Sequence, residues 1–445
     1  KILLGSEPLD SWKIKRFKVL LGSEPLHYWK IKRFKPLFSA EPLHFKQIMQ
    51  QLALLFFRYN QNGIIKLLFS KRGRFMTQSI AIIGGGIVGS TAAYYLSRFG
   101  HQVTVYDEGT GQATSAAAGI ICPWLSKRRN KPWYRLAAGG AAFYHQMLAD
   151  LNADGKDTSF YKQSGAVLLK KKAKATQDQY DLGVSRRQDA PEIGDLTILS
   201  EEELEQLLPG LKEQEHALYV AGGARVDGQQ LVATLLNYVV ENGGKRLNER
   251  AHLMADNIVE SASGQHSFDH IILATGAWLP HILQPLGFEV DIRGQKGQLA
   301  VLQTADLDNG NLPVIMPEGE IDILPLGNGR VFVGASHEND LGYDLTKDDT
   351  IIQSMIQNGQ ALFDDLKDAE LIEVKVGTRA YTSDFSPFFG YLPTSETILT
   401  ASGLGSSGLT TGPLIGYQLA LLASGQEASL PLDDYSPAPY IKLMG

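Results

Sequence analysis

The chain has 445 residues, 44% hydrophobic and 20% charged, enough for one large or two medium domains with real cores. Its one cysteine, Cys122, excludes an intrachain disulfide and a cysteine-based zinc site, so nothing marks an oxidising compartment and no metal site is assigned. The net charge of −6 divides into +11 on residues 1–75 and −17 on the remainder, and the acidic body argues against nucleic acid as its main partner.

In chain order, the first feature is a repeat of period 17: LLGSEPLDSWKIKRFK at Leu3–Lys18 recurs as LLGSEPLHYWKIKRFK at Leu20–Lys35, and a decayed copy follows from Leu37. Solenoid units are longer and more numerous. Met76 stands just before the first strand of the unit described next. The natural start is therefore expected at Met76, with residues 1–75 a repeat-containing basic extension outside the native fold. The alternative is a basic, partly amphipathic arm with Leu55, Phe56 and Phe57 as apolar anchors. Such an arm would hold an otherwise cytoplasmic protein at the inner face of the cell membrane. No run of about 18 uninterrupted apolar residues occurs, so no transmembrane helix is expected.

The stretch Ile80–Asp107, IAIIGGGIVGSTAAYYLSRFGHQVTVYD, carries the strongest local signal. An apolar run, Ile80–Ile83, feeds Gly84-Gly85-Gly86-Ile87-Val88-Gly89. A helical segment follows, and a second apolar run, Val103–Tyr106, ends in Asp107. The glycines have G-x-G-x-x-G spacing in a strand–turn–helix–strand context. Gly84 permits the tight turn, Gly86 lets the backbone approach a pyrophosphate, and Gly89 lets the helix lie close on the strand. The helix N-terminus offers N–H groups and a positive dipole end to phosphate. Asp107, 23 residues after Gly84, stands where a carboxylate accepts hydrogen bonds from a ribose diol. The pattern reads as a dinucleotide site and leaves the dinucleotide open.

Beyond it, Gly86–Phe99 reads as a helix stopped by Gly100, and Tyr134–Leu151 as a second helix. Ala166–Leu169 is a short strand. Ser200 and Glu203 form a capping box. Ala217–Val220 reads as a strand, Gln229–Glu241 as a helix and His270–Ala274 as a buried strand. Residues 288–375 are richer in strands, with Gln298–Leu302, Ile321–Leu324 and Val331–Val333; Gly327-Asn328-Gly329 predicts a hairpin between the last two. Ile351–Phe363 is a helix, and Gly412–Leu422 passes from a glycine-rich loop into another. Alternating α/β pieces around a β-rich insert predict a mixed α/β fold: a doubly wound dinucleotide domain carrying an inserted, mostly antiparallel domain.

Four more segments follow in order: ATSAAAGI at Ala113–Ile120, DHIILATGAW at Asp269–Trp278, GTRAYTSD at Gly377–Asp384, and ASGLGSSGLTTG at Ala401–Gly412. With the Gly84–Asp107 unit they resemble the FAD-dependent oxidoreductases of the D-amino-acid oxidase / glycine oxidase / sarcosine oxidase superfamily, D-amino acid dehydrogenases included. The resemblance covers nearly all of residues 77–430. It implies a Rossmann-like FAD-binding domain over 76–157, 217–287 and 376–445, and a substrate domain over 158–216 and 288–375. It implies FAD contacts at Gly84, Gly86, Ile87, Val88, Gly89 and Asp107; at Thr114, Ser115, Ala118, Gly119 and Ile120; at Thr275, Gly276 and Trp278; and at Gly405, Ser406, Ser407, Gly408, Leu409 and Thr410. Arg379 would pair with a substrate carboxylate, a role its planar fork suits; the structural alternative is a salt bridge. Ala380 departs from the family's usual proline at that place. His337, within Gly334–Glu338, and Tyr381 are further substrate-side candidates, the favoured alternative for His337 and Glu338 being a structural role near the domain interface; Tyr381, Tyr343 and Trp124 are possible pocket walls, with a buried aromatic the default for each. With no cysteine in the C-terminal third, FAD is expected to be held noncovalently.

The implied reaction is oxidation of a small amino acid, D-configured, glycine or N-substituted, by hydride transfer to flavin N5. The imine formed hydrolyses to a keto acid and ammonia or amine, and the acceptor is O₂ or a quinone or other carrier. Three rivals stay open: an NAD(P)-dependent dehydrogenase, a non-catalytic flavin-binding accessory, and a tRNA-modifying member of the same superfamily. Substrate side chain and oligomeric state are not read from the sequence.

Overall fold

The structure is a computed structural model that describes residues 77–212, 216–255, 257–305, 310–319 and 321–444. The repeat, the basic arm and Met76 lie outside the described residues.

The apolar runs at Ser79–Ile83, Gln102–Tyr106 and His270–Leu273 have β-branched residues on both faces, as a strand covered on both sides requires. They form the middle of a six-stranded sheet in the order Phe388–Tyr391, Ile398–Ser402, His270–Leu273, Ser79–Ile83, Gln102–Tyr106, Lys245–Leu247. Only the Phe388–Tyr391 edge strand runs antiparallel. Helix Ile87–Phe99 leaves the first strand and ends at Gly100, left-handed at φ 91°. Helices Lys131–Ala153, Gly228–Glu241 and Gly408–Ala423 share the core on that face.

A second sheet of eight strands runs Glu370–Tyr381, Arg293–Gln303, Arg330–Gly334, Asp322–Gly327, Val314–Met316, Ala166–Leu169, Ala217–Val220, Leu196–Leu199. All its neighbours are antiparallel except Val314–Met316 with Ala166–Leu169. One face is covered by helices Glu201–Leu207 and Asp349–Leu362. The other face joins the core of the six-stranded sheet's helices. This sheet takes in residues on both sides of positions 217 and 376, because Ala217–Val220 and the whole of Glu370–Tyr381 find their pairing partners in it.

The predicted hairpin is present, with Asn328 at φ 53° in its turn, and the Ser200–Glu203 capping box is complete. Three elements differ from the expectations. Gly377–Tyr381, to which the sequence assigns no element, is the end of a twelve-residue strand. Gly408–Thr411 is already helical. Helix Ala173–Arg187 was not read at all: its exposed, polar sequence has no apolar stripe at helical spacing. Among the described residues no helix is long and apolar enough to cross a membrane.

Glycines set the helix packing. A Cβ on Gly416 would lie 2.5 Å from the Val88 carbonyl oxygen, and one on Gly140 would lie 2.1 Å from that of Thr410. Both contacts are backbone on helix, which cannot yield by a rotamer change. Gly416→Ala should therefore cost roughly 1–3 kcal/mol, read as a lower urea midpoint at unchanged slope. An unchanged midpoint would show that the two helices separate freely.

Candidate functional site

The first strand hands over to its helix through a turn made of close backbone contacts. Gly84 stands at φ 102°, and a Cβ there would lie 2.4 Å from the Ala274 oxygen. A Cβ on Gly89 would lie 1.9 Å from the Gly84 oxygen. The helix therefore lies on its own turn only because both are glycine. The Ile87 N–H donates to Thr114 Oγ1 at 3.0 Å, so the Ala113–Ala116 segment closes over the helix N-terminus. Gly86, the residue before that helix, has only Thr114 Oγ1 nearby, at 3.3 Å from a hypothetical Cβ.

Asp107 ends the second strand and faces this turn. Its carboxylate accepts from the Gly85 N–H, from the Gly109 N–H at 2.6 Å and from Gln112 Nε2 at 2.7 Å. It therefore shapes the glycine turn as well as lining the groove described below. Gln112 carried no sequence signal, since a single amide beside an Ala/Ser run is unremarkable. Nearby, Arg250 grips Glu108 bidentately, with contacts of 2.7–3.1 Å.

A cleft of about 380 Å³ runs from Asp107, Glu108 and Arg250 past Gly84, Gly86, Ile87 and Val88. It continues by Thr114, Thr275, Gly276 and Trp278 to Thr378, Ala380, Gly405 and Gly408. Residues from all five sequence motifs thus line one continuous groove. Two of its hydroxyls, Thr275 Oγ1 and Thr378 Oγ1, are buried without a hydrogen-bond partner. Buried polar atoms are normally satisfied, so a polar ligand lying along the groove suits them. The glycine cradle, the helix N-terminus, the Asp107 carboxylate and these hydroxyls together fit a dinucleotide.

Other expected contacts lie off the groove lining. Gly89 supports the turn from behind. Ser115 donates to Gln112 at 3.2 Å. Gly119, at φ 90°, presses on the Val226 carbonyl, while Ala118 and Ile120 pack at the edge of the core. Ser406 donates its N–H to Tyr381 Oη at 3.1 Å, and Ser407 donates to the Leu404 oxygen. Leu409 and Thr410 face the helices: the Leu409 oxygen accepts from Tyr144 Oη at 2.7 Å, and the Thr410 hydroxyl lies against Ile120.

Arg379 points away from the groove while its neighbours Thr378 and Ala380 line it. Its guanidinium lies over Gly297, where a Cβ would come within 2.6 Å. Nη1 donates to Gln295 Oε1 at 3.1 Å and to the Ser336 oxygen at 2.9 Å. Burial pushes this guanidinium below its ordinary value, against the favourable fields of Tyr381 and Glu338. No described carboxylate forms an ion pair with it. Gln295 escaped the sequence reading because only strand register, Gln295 opposite Arg379, brings the two together.

His337 does not join the groove. It lies with Ser336 and Glu338 in a separate depression against helix Asp349–Leu362. Glu338 pairs with buried Lys296 at 3.5 Å and accepts from Gln298 at 3.0 Å, a holding role at the sheet end. Trp124 is a core residue, 1% exposed. Tyr343 stands edge-on to Trp278 with centroids 5.6 Å apart and bonds the Ala277 oxygen, supporting the groove wall. Cys122 is part-buried, and desolvation pushes its thiol up to about 12, which keeps it protonated. No cluster of three or more His, Cys, Asp or Glu among the described residues is placed to hold a metal.

Residues 79–422 match the model of the DAO family, described as FAD dependent oxidoreductase. The uncharacterized oxidoreductase YurR of Bacillus subtilis (strain 168) is 39% identical over 81% of this chain and 99% of its own length. A glycine oxidase of Pseudomonas putida is 27% identical over 82% of this chain and 98% of its own. Among solved structures, the iminodiacetate oxidase of Chelativorans sp. BNC1 superposes with a TM-score of 0.77 at 34% identity, over 80% of this chain and 98% of that one.

The groove geometry makes Asp107 testable. Asp107→Ala removes an ionised acceptor and loosens the Gly85 turn, so FAD affinity should fall roughly 10- to 100-fold, measured by titrating the apoprotein with FAD. Equal affinity would discredit the Asp107 contact.

Proposed function

The chain belongs to the DAO family of FAD-dependent oxidoreductases, and from that premise we propose that it oxidises the C–N bond of a small amino acid, primary or N-substituted. The imine product hydrolyses in water to a keto acid and ammonia or an amine. Family membership sets aside the NAD(P)-dependent alternative.

Arg379 carries this reading. It is a half-buried fork with no ion-pair partner among the described residues, on the strand whose adjacent side chains line the FAD groove. A carboxylate arriving from solvent supplies the missing charge and matches the fork geometry. The named activities of two relatives, glycine oxidase and iminodiacetate oxidase, support a small carboxylated amine as substrate.

FAD, when bound, supplies the two-electron acceptor that takes the hydride from the carbon beside the amine. The chain's own residues position and stabilise. Arg379 fixes the carboxylate and thereby the direction of that carbon, an entropic contribution to rate. Gly405–Gly408 and the following helix turn backbone amides and a positive dipole end toward the groove, where negative charge is favoured. Tyr381 holds this turn by accepting the Ser406 N–H, and Gly405 must be glycine because a Cβ would lie 2.1 Å from the Tyr381 ring. With no cysteine in the C-terminal third, a cysteinyl link to FAD is not available there.

The test is an anaerobic screen of glycine, sarcosine, iminodiacetate, proline and D-amino acids for loss of oxidised-flavin absorbance. At least one should bleach the holoenzyme, and its methyl ester should not. No bleaching by any carboxylated amine would overturn the proposal. Under air, one hydrogen peroxide per amine identifies O₂ as acceptor; its absence with retained quinone reduction identifies a carrier. Arg379→Ala should keep its FAD while KM for the bleaching substrate rises roughly 100-fold. Unchanged kinetics would remove Arg379 from the site.

A further inference from the structure

The face of the eight-stranded sheet that carries Arg379 also carries a carboxylic acid without a partner. Register places Asp322 opposite Gly334, Gly334 opposite Leu299, and Leu299 opposite Lys375. Directly opposed residues on antiparallel strands share a face, so Asp322 and Lys375 lie on one row across the sheet. Arg379 stands four residues beyond Lys375 on the same strand and hence on the same face.

Asp322 is only part-exposed, and no hydrogen bond or ion pair reaches its carboxyl among the described residues. Two titratable groups act on it from neighbouring elements. Lys170, just past strand Ala166–Leu169, favours its ionised form, and Cys122, just past Ile120–Ile121, lies close enough to feel its charge. Desolvation outweighs Lys170 and raises the carboxyl to about 7. Cys122 stands two residues past the small-residue segment Ala113–Ile120, whose start closes the groove at Thr114, and is near enough to Asp322 to feel its charge. Asp322 thus lies where the groove-side segment meets the sheet face bearing Arg379.

The spacing suits one small molecule. The Arg379 guanidinium reaches back over Gly297, two residues or roughly 7 Å from the Asp322 row, and two strand spacings, roughly 10 Å, separate their columns. The guanidinium leans across toward the Ser336 oxygen, which shortens that gap. Two hydrogen bonds of roughly 2.8 Å each plus the carboxylate-to-nitrogen span of an amino acid fill what is left.

Resting on the amino-acid reading above, we propose that Asp322 binds the substrate's ammonium nitrogen and takes one proton from it. The substrate class is then a zwitterion, with carboxylate on Arg379 and ammonium on Asp322. In the step, one N–H bond breaks and an O–H bond forms on Asp322, leaving the nitrogen a free lone pair. That lone pair would form the second bond of C=N once FAD, when bound, had accepted the hydride from the adjacent carbon. The proton stays on Asp322 until released to solvent.

Asp322 must be ionised to accept the proton, so kcat/KM should rise with pH through a bend near 7 and then level. D322N should keep its FAD absorbance, lose that bend, and fall in kcat/KM roughly 100-fold or more at pH 8. Acetate, a carboxylate without an amine, should perturb the flavin spectrum of wild type and D322N alike, showing the Arg379 side intact. The proposal is overturned if D322N retains kcat/KM within threefold with the same bend. If D322N does not fold, the wild-type profile decides alone, and a profile without a bend near 7 overturns it. If wild type is bleached by no amino acid, the amino-acid reading fails first; bleaching with an unaffected D322N fails only the role of Asp322.

Discussion

Period-two alternation along Glu370–Tyr381 is the constraint on which the rest of the site depends. Thr378 and Ala380 face the FAD groove, and Arg379 between them faces the other way, over Gly297. In the proposed reading one strand therefore serves both the cofactor and the substrate side, with one peptide unit between them. A slip of one residue would exchange the two sets. Several contacts pin the register. The strand pairs with Arg293–Gln303 along its whole length, and Thr378 N–H donates to the Gly111 oxygen at 3.1 Å. A Cβ on Gly377 would lie 2.8 Å from the Ala116 Cβ, so the Ala113–Ala116 segment seats against that glycine and no other register.

The groove on the other side of this strand is built mostly of backbone. Gly89 against Gly84, Gly84 against Ala274 and Gly119 against Val226 are contacts in which an added methyl would meet a carbonyl oxygen. Backbone packed on backbone has no rotamers to lose when a ligand binds, which lowers the ordering cost of holding a long, flexible cofactor. Asp107 ties this rigidity to charge. By accepting the Gly85 and Gly109 N–H groups it holds the turn in the shape that exposes the helix N-terminus. One carboxylate thus holds the turn from which the helix N-terminus faces the groove.

The glycine turn was legible because its requirements are local: spacing, a preceding apolar run and a terminal acid. The strands Ala166–Leu169, Ala217–Val220 and His270–Leu273 were legible for the same reason, each a short apolar run between polar breaks. The alternation at Thr378–Ala380 was not. A stretch with glycine, threonine and arginine has the composition of a loop, and only its antiparallel partner makes it a strand. Asp322 was invisible because an acid inside Ile321–Leu324 breaks the apolar pattern without forming another; its meaning lies in register and in Cys122, 200 residues earlier. His337 stands apart from the groove. It follows a glycine-rich strand end next to Ser336, whose oxygen does touch Arg379, yet its own depression opens toward helix Asp349–Leu362.

Charge pairing separates residues that hold the fold from residues that wait for a ligand. Lys296 and Arg379 lie on the same two-strand ribbon, on opposite faces. Lys296 is 1% exposed and answered by Glu338 at 3.5 Å and Asp344 at 3.6 Å. Burying a cation this deeply without a counter-charge is costly, and on that face the fold supplies the counter-charges. On the Arg379 face it supplies a carbonyl and an amide, and it places an unpaired acid, Asp322, on the same face three strands away. Moving that acid one strand closer would form a salt bridge and close the face. Held apart, the two charges each remain under-solvated, and a molecule carrying a carboxylate and an ammonium relieves both at once. A carboxylate alone would satisfy Arg379 and leave Asp322 as it was, so the separation itself selects for the zwitterion.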